Sequence, residues 1–174
     1  MFKKSKKINT QEDILYNNIL LLSRNKLFFT EFDLADTFQN RIYLIFLHIS
    51  FLNVKIKQIK LQKSYANFFQ RTFDLMFNRI EANMREIGHG DVMVNKNMKL
   101  LVNTFYNILL KCENYKNKCF DFKNVFFFHY LEQNDKKNLS INPLLIEYFN
   151  KYEAFCFALS PDSVLKGDLN FNYK

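Results

Sequence analysis

Turn-forming residues are scarce in this chain, whose 174 residues include only three glycines and two prolines. Small β-sandwiches and barrels need many tight turns, and glycine and proline supply most of them. The composition therefore disfavours those folds and favours long, uninterrupted helices. A chain of this length is typical of one domain and can bury roughly two-thirds of its unfolded surface.

Cysteine and the motifs of common enzymes are also scarce. Cys112, Cys119 and Cys156 form an odd set without Cys-x-x-Cys spacing. They make no zinc pattern with the three histidines, so we expect a reducing compartment and no disulfide framework. Glycine-rich phosphate loops and the Gly-x-Ser-x-Gly motif are absent. We therefore expect a protein that is not an enzyme and has no cofactor or metal site.

The longest apolar run covers residues 42–52, interrupted only by His48 and Ser50. Eleven helical residues rise about 16 Å, whereas the hydrocarbon core of a bilayer is about 30 Å thick. Arg41 and Lys55 also flank the run closely. The segment is therefore predicted to be a central core helix, with His48 a core histidine hydrogen-bonded to a neighbour.

Apolar periodicity predicts an all-α, single compact domain of about six main helices. Thr10 and Asp13 form a capping-box pattern, Asn142 and Pro143 mark a second helix start, and Gly88 fits a left-handed helix end. We expect a flexible basic tail at residues 1–9, a helical domain at residues 10–174, a loop at 57–63 and an irregular tail from Ser160. The predicted helices cover about residues 11–24, 37–56, 65–87, 93–114, 119–132 and 143–159.

Positive charge predominates, with a net charge of +8. A basic surface suits an anionic partner such as the ribosome, another nucleic acid or an anionic membrane, although a solvated basic face is an equally good interpretation. The first eleven residues lack the apolar segment of a secretory signal and are short for a transit peptide. The basic residues cluster at Lys3, Lys4, Lys6, Lys7, Lys55, Lys57, Lys60, Lys63, Lys96 and Lys99.

Two arginines lie beside the apolar stripes and close to acidic residues. Arg41 follows Asp36, and Arg85 precedes Glu86. An arginine at the edge of a core usually pairs with a carboxylate. We therefore expect structural ion pairs at these positions, and a partner-binding surface built on the same pairs is the functional alternative.

Residues 85–96, REIGHGDVMVNK, resemble the signature R-E-x-G-x-G-D-x-x-V-x-K of the ubiquinol–cytochrome c chaperone family. In the expected order, residues 36–41 with the trailing His48 are similar to the family's D-T-x-x-G-R stretch, residues 105–106 to its F-Y element, and residues 167–171 to its closing G-x-[LV]-x-F. The resemblance extends over about residues 12–171. It departs at Asn40 and Asn107, where the family usually has glycine.

The resemblance implies a function that the residues alone do not supply. Family members assist the biogenesis of cytochrome b, a membrane subunit of the cytochrome bc1 complex, and the mitochondrial relative works with a small partner protein near the ribosomal tunnel exit. The resemblance therefore implies an assembly chaperone here. Without a transit peptide, we expect a protein of the bacterial cytoplasm that can lie at the periphery of the inner membrane. In a eukaryote, we expect the matrix side of the mitochondrial inner membrane. The competing interpretation is a basic helical protein that binds nucleic acid or the ribosome. The candidate partner-binding residues are Asp36, Arg41, His48, Arg85, Glu86, Gly88, Gly90, Asp91 and Lys96.

Overall fold

Helices occupy most of the chain, as the scarcity of glycine and proline predicts. The computed structural model describes residues 10–58 and 63–173. Within those ranges, extended pairing is limited to one bridge between Leu34 and Gln133. The predicted all-α domain with about six main helices is confirmed. The helices are α1 (Gln11–Ser23), α2 (Leu27–Thr30), α3 (Phe38–Gln58), α4 (Lys63–Glu86), α5 (Asp91–Cys112), α6 (Phe120–Tyr130), α7 (Pro143–Ala158) and α8 (Pro161–Lys166), with a 3-10 turn at Tyr115–Asn117.

Helix α3 is the centre of the domain, as its apolar run predicts. Every residue from 42 to 52 is buried, and α3 packs against α1, α4, α5 and α7. Thr37 caps the helix, because its Oγ1 accepts a hydrogen bond from the Asn40 backbone N–H at 3.1 Å. In the part of the chain that the structure describes, no helix is long and apolar enough to cross a membrane.

Two helix starts follow the capping patterns of the sequence. Thr10 and Asp13 form the predicted capping box, in which each side chain bonds the backbone of the other residue. Asn142 accepts a hydrogen bond from the Leu144 backbone N–H at 3.0 Å, and Pro143 occupies the first turn of α7. At the other end of α7, Lys55 Nζ donates to the Phe157 carbonyl at 2.6 Å, which ties α7 to α3.

Helix α4 ends in a fixed turn at Gly88. The Gly88 N–H bonds the Arg85 carbonyl at 3.0 Å, and the His89 N–H bonds the Met84 carbonyl at 3.1 Å. This is the hydrogen-bond pattern of a Schellman motif, and Gly88 has the left-handed φ of +92° that the motif requires. The prediction of a left-handed cap at Gly88 is confirmed, and the next helix starts at Asp91.

The structure corrects two sequence expectations. The chain after Ser160 is not wholly irregular: Ser160 caps the six-residue helix α8, which ends at Gly167 with a left-handed φ of +74°. Apolar spacing in α4 predicts one core stripe, but three of its aromatic members are half-buried and Ile87 is exposed beyond the helix end. The predicted stripe consists of Tyr65, Phe69, Phe73, Met76, Ile80, Met84 and Ile87, and its half-buried members are Tyr65, Phe69 and Phe73. The buried apolar residues of α4 are Phe68, Met76, Phe77, Ile80 and Met84. The predicted tail at residues 1–9, and residues 59–62 of the predicted loop, lie outside the described residues.

Candidate docking surface

Arg85 joins the end of α4 to the start of α5. Its Nε and Nη2 donate to Glu81 Oε1 at 3.1 and 2.9 Å, and its Nη1 donates to Asp91. These hydrogen bonds raise the pKa of Arg85, and the bond to Asp91 contributes more than those to Glu81. The expected pairing of Arg85 with Glu86 is therefore wrong. Adjacent residues on a helix point in different directions, whereas Glu81 lies one turn before Arg85 on the same side.

Asp36 and Arg41 form the expected ion pair at the start of α3. Arg41 Nε and Nη2 donate to the two carboxylate oxygens of Asp36 at 2.6 and 2.9 Å, which is a bidentate geometry. The hydrogen bonds from Arg41 lower the pKa of Asp36. The Arg41 guanidinium also lies 5.0 Å from the centre of the Phe29 ring. Both side chains remain substantially exposed, so the pair fixes the Arg41 side chain at the surface.

An apolar cleft of about 380 Å³ opens between these two ion-paired regions. Ile87 and Leu100 are 56% and 59% exposed at its walls, although both are large aliphatic side chains. Its polar lining comes from α3, α5 and the α4–α5 turn. The cleft is lined by Thr37, Phe38, Gln39, Ile42, Tyr43, Met84, Ile87, His89, Asn97, Leu100 and Leu101.

Two further depressions lie near this cleft, one sharing residues with it and one formed by residues next to it in sequence. One, of about 240 Å³, shares Phe38, Ile42 and Ile87 with it and places Arg41 and Glu86 on a common rim beside α1. The other, at the start of α5, is shallow. We call the three depressions together the cleft surface. The depression at the start of α5 is lined by Gly90, Asp91, Val92, Met93 and Lys96.

One polar atom of the cleft has no hydrogen-bond partner. His89 Nδ1 is buried and unpaired, while the His89 ring lines the cleft. Buried polar atoms in folded proteins are nearly always paired, because an unpaired one loses its hydration without compensation. The neighbouring Gln39 is satisfied, because its Nε2 donates to Tyr43 Oη at 2.8 Å. The cleft therefore has apolar walls, and one imidazole nitrogen beneath them is left without a hydrogen bond.

His48 has a different place from the other candidate residues. Its side chain is fully buried, with Nδ1 2.6 Å from the Leu44 carbonyl and Nε2 2.8 Å from Tyr148 Oη. The carbonyl only accepts, so Nδ1 carries the proton and Nε2 accepts from the tyrosine hydroxyl. Burial lowers the pKa of His48 to about 4. The core interpretation of His48 is confirmed, and the residue contributes no surface for a partner.

The remaining candidate residues lie on or beside the cleft surface. Asp36 and Arg41 border it at the start of α3, and Arg85, Glu86 and Gly88 lie at the end of α4. Gly90, Asp91 and Lys96 follow at the start of α5. The fold thus brings together polar residues from two stretches that are some fifty positions apart in sequence.

Sequence reasoning missed the apolar part of this surface. Periodicity places Ile87 on a core stripe and gives no signal for Phe38 or Leu100, because it does not tell a buried apolar position from an exposed one at a helix end. The only available signal was local: Ile87 directly precedes the Gly88 break. The helix ends just before Ile87, so a large apolar residue at this point need not be buried as a residue within the helical stripe would be.

The cleft surface is bounded by ion pairs and set in an all-helical domain. A family model described as ubiquinol-cytochrome C chaperone matches residues 30–171. The chain belongs to this family of assembly chaperones. Among solved structures, the fold is similar to that in the crystal structure of the Cbp3 homolog from Brucella abortus, with a TM-score of 0.77, 21% sequence identity, and coverage of 93% of this chain and 88% of that one. At that identity the likeness concerns the fold. No curated protein matches the sequence.

Proposed function

We propose that this protein is an assembly chaperone of the cytochrome bc1 complex that binds cytochrome b, during or after its synthesis, through the cleft surface. Family membership over residues 30–171 is the observation that supports the chaperone role most directly. The position of the cleft supports the choice of surface, because the signature segment 85–96 supplies both the α4–α5 turn and the start of α5.

The chemistry of the cleft suits a hydrophobic client. Large exposed apolar side chains are unfavourable in water, and grouped patches of them usually mark binding sites. Phe38, Ile87, Met93 and Leu100 are 38%, 56%, 54% and 59% exposed, and all four line the cleft surface. A segment of cytochrome b that has not yet entered the bilayer needs such apolar cover.

The ion pairs position this surface and contribute charge at its rim. Arg85 bonds residues on both sides of the α4–α5 turn, and Arg41 is held by Asp36. Exposed ion pairs contribute only about 0–1 kcal/mol each to stability. Their main effect here is therefore to orient the rim, leaving Glu86 and Lys96 available for polar contacts with a client.

The basic residues support a second, looser contact near the site of synthesis. We propose that they attract the chaperone to the ribosome or to the anionic face of the inner membrane, because a positive surface concentrates a protein at both. The bacterial cytoplasm, or the matrix side in a eukaryote, is the compartment that this role requires.

Complementation of a deletion strain tests the proposed function. We expect Ile87→Glu and Leu100→Glu to abolish bc1 assembly and to lower cytochrome b and ubiquinol–cytochrome c reductase activity, because a charge in the cleft opposes an apolar client. Leu139→Glu is the matched control, since Leu139 is 85% exposed and does not line the cleft. Assembly that survives both cleft substitutions, or that fails equally with Leu139→Glu, contradicts client binding at the cleft.

The polar rim is tested separately with Arg85→Gln and Lys96→Gln. Each variant is compared for thermal unfolding and for bc1 assembly in the deletion strain. Lost assembly with unchanged unfolding, in both variants and not in Lys96→Gln alone, identifies the rim as part of the docking surface. If assembly declines only in proportion to lost stability, the two residues are structural and the rim has no separate role in client binding.

A nucleic-acid-binding protein is the alternative that the net charge of +8 leaves open. Phosphate contacts make such binding strongly salt-dependent, whatever the nucleotide sequence. Salt-sensitive binding to arbitrary RNA, without co-purification of cytochrome b, would favour this alternative over the chaperone role.

A further inference from the structure

An unpartnered stripe runs along the outer side of α5. Its members are spaced alternately by four and three residues, so they lie on one side of the helix over its full length of about 33 Å. Apolar members of such a stripe normally face a core, but in this helix every member is exposed. We call it the α5 outer stripe, and it consists of Val92, Lys96, Lys99, Asn103, Tyr106 and Leu110.

The stripe combines three large apolar side chains with two lysines. Val92, Tyr106 and Leu110 are 85%, 50% and 60% exposed. Lys96 and Lys99 lie between Val92 and Tyr106, and no carboxylate in the described part of the chain is within ion-pairing distance of either lysine. After Asp91, all charged residues of α5 are lysines. The stripe therefore carries unpaired positive charge on an apolar surface.

Helix α6 lies beside the last turn of α5. Lys111 Nζ lies 5.0 Å from the centre of the Tyr130 ring and 5.9 Å from that of Phe126, which places α6 next to the last turn of α5. Lys118 Nζ lies 5.0 Å from the centre of the Phe122 ring. Lysines whose stems cover aromatic rings keep their ammonium groups at the boundary between apolar and polar surroundings.

We propose that the α5 outer stripe docks on the surface of an anionic lipid bilayer. A helix face with large apolar residues and lysines, and no acidic residue along its length, fits the interface between acyl chains and anionic head groups. RNA fits less well, because it needs stacking rings and polar contacts and gains little from exposed aliphatic residues such as Val92 and Leu110.

The stripe adjoins the cleft surface. Leu100 follows Lys99 and lines the cleft, while Val92 and Lys96 line the depression at the start of α5. Docking through the stripe would therefore hold the cleft at the membrane boundary. The membrane-docking inference rests on the proposed function and refines it by naming a lipid surface as a partner of the chaperone.

Flotation of the purified full chain with vesicles tests the proposal. The probes are phosphatidylcholine vesicles and mixed phosphatidylcholine–phosphatidylglycerol vesicles, at low and at raised salt. We expect clear binding to the mixed vesicles, much weaker binding to the neutral ones, and partial loss in salt. Near an anionic surface each lysine contributes about 1 kcal/mol, so the double variant Lys96→Gln/Lys99→Gln should lower partitioning roughly 10- to 30-fold.

Matched controls separate the stripe from general charge and hydrophobicity. The double variant Lys136→Gln/Lys137→Gln removes two exposed lysines from the loop after α6 and should change partitioning less than twofold. Leu110→Ser should lower partitioning several-fold, on the order of 10-fold at most, because a leucine inserted at the interface loses its apolar contact. Leu21→Ser is the counterpart, since Leu21 is 70% exposed on α1, and it should bind normally.

Three results would overturn the proposal: no binding of the unaltered protein to mixed vesicles, equal binding to neutral ones, or equal losses in stripe and control variants. Binding to an RNA homopolymer that depends on Lys96 and Lys99 but not on Leu110, without vesicle binding, would also overturn it. Because flotation uses no client, these failures leave the cleft experiment unaffected. Conversely, normal bc1 assembly with both Ile87→Glu and Leu100→Glu would refute client binding at the cleft and would leave the vesicle result unaffected.

Discussion

Gly167 holds the end of α8 against the backbone of α1. A Cβ placed on Gly167 would lie 2.8 Å from the Leu15 backbone nitrogen and 2.9 Å from Ile14 Cγ2. The contact is reinforced by Asn18, whose Nδ2 donates to the Gly167 carbonyl at 2.6 Å. Gly167→Ala therefore has to move one helix relative to the other, in addition to accepting a left-handed φ of +74°.

The size of the effect follows from a comparison with Gly88. Gly88 has a φ of +92°, but a Cβ placed there meets nothing within 4 Å. Gly88→Ala should therefore lower the free energy of unfolding only by the conformational cost, about 1 kcal/mol. Gly167→Ala carries the same conformational cost, and crowding against a backbone atom adds about 1–3 kcal/mol. We expect a total loss of about 2–4 kcal/mol for Gly167→Ala.

Equilibrium urea unfolding followed by far-ultraviolet circular dichroism measures both variants against the unaltered chain. The expected outcome is a clearly lower midpoint for Gly167→Ala than for Gly88→Ala, with similar denaturant dependence. Equal losses in the two variants would refute the close contact between α8 and α1. A larger loss at Gly88 would refute the open surroundings of the α4–α5 turn.

Two further predictions concern buried polar side chains. The pKa of His48 is about 4 in the folded protein and its ordinary value is 6.5, so the unfolded chain binds more protons as the pH falls through this range. The free energy of unfolding should therefore be about 2 kcal/mol lower at about pH 5 than at pH 7. If the His48→Gln variant shows the same loss, the loss does not come from protonation of His48. Asn40→Ala should lower stability by about 2–4 kcal/mol, because it removes three hydrogen bonds inside the fold. The exposed Asn107→Ala is its control and should be within about 0.5 kcal/mol of the unaltered chain.

The helix starts and the central core could be predicted because their causes are local. Thr10 and Asn142 carry their caps in neighbouring residues, and the apolar run at residues 42–52 is too continuous to lie anywhere but inside. Helix α8 was missed although Ser160 and Pro161 repeat the cap-and-proline pattern of Asn142 and Pro143. Its six residues contain too few apolar positions to show a helical period.

The role of Asn40 could not be predicted, because its partners are distant in sequence. Its Nδ2 donates to the carbonyls of Ala35 and Glu132, both at 2.7 Å, and its Oδ1 accepts from the Glu132 N–H at 2.9 Å. The resemblance marks this position as one where the family usually has glycine, and a glycine suggests no hydrogen-bonding role for a side chain. The structure instead shows a side chain that joins the start of α3 to the segment after α6.

The exposure of Ile87 follows from the way in which α4 ends. The helical stripe predicted from the sequence continues to Ile87, whose N–H still bonds the Asn83 carbonyl at 3.1 Å. The Schellman bonds at Met84 and Arg85 end the helix at Glu86 instead, and the bond from Arg85 to Asp91 fixes the turn. Ile87 is therefore exposed to solvent at a hydrogen-bonded turn, and its exposure is not the result of a frayed helix end. The free energy lost by exposing this side chain is recovered only when an apolar partner covers it. Under the proposed function, a folding requirement and a binding requirement meet in the same signature segment, since the glycine that ends α4 follows the apolar side chain that lines the cleft.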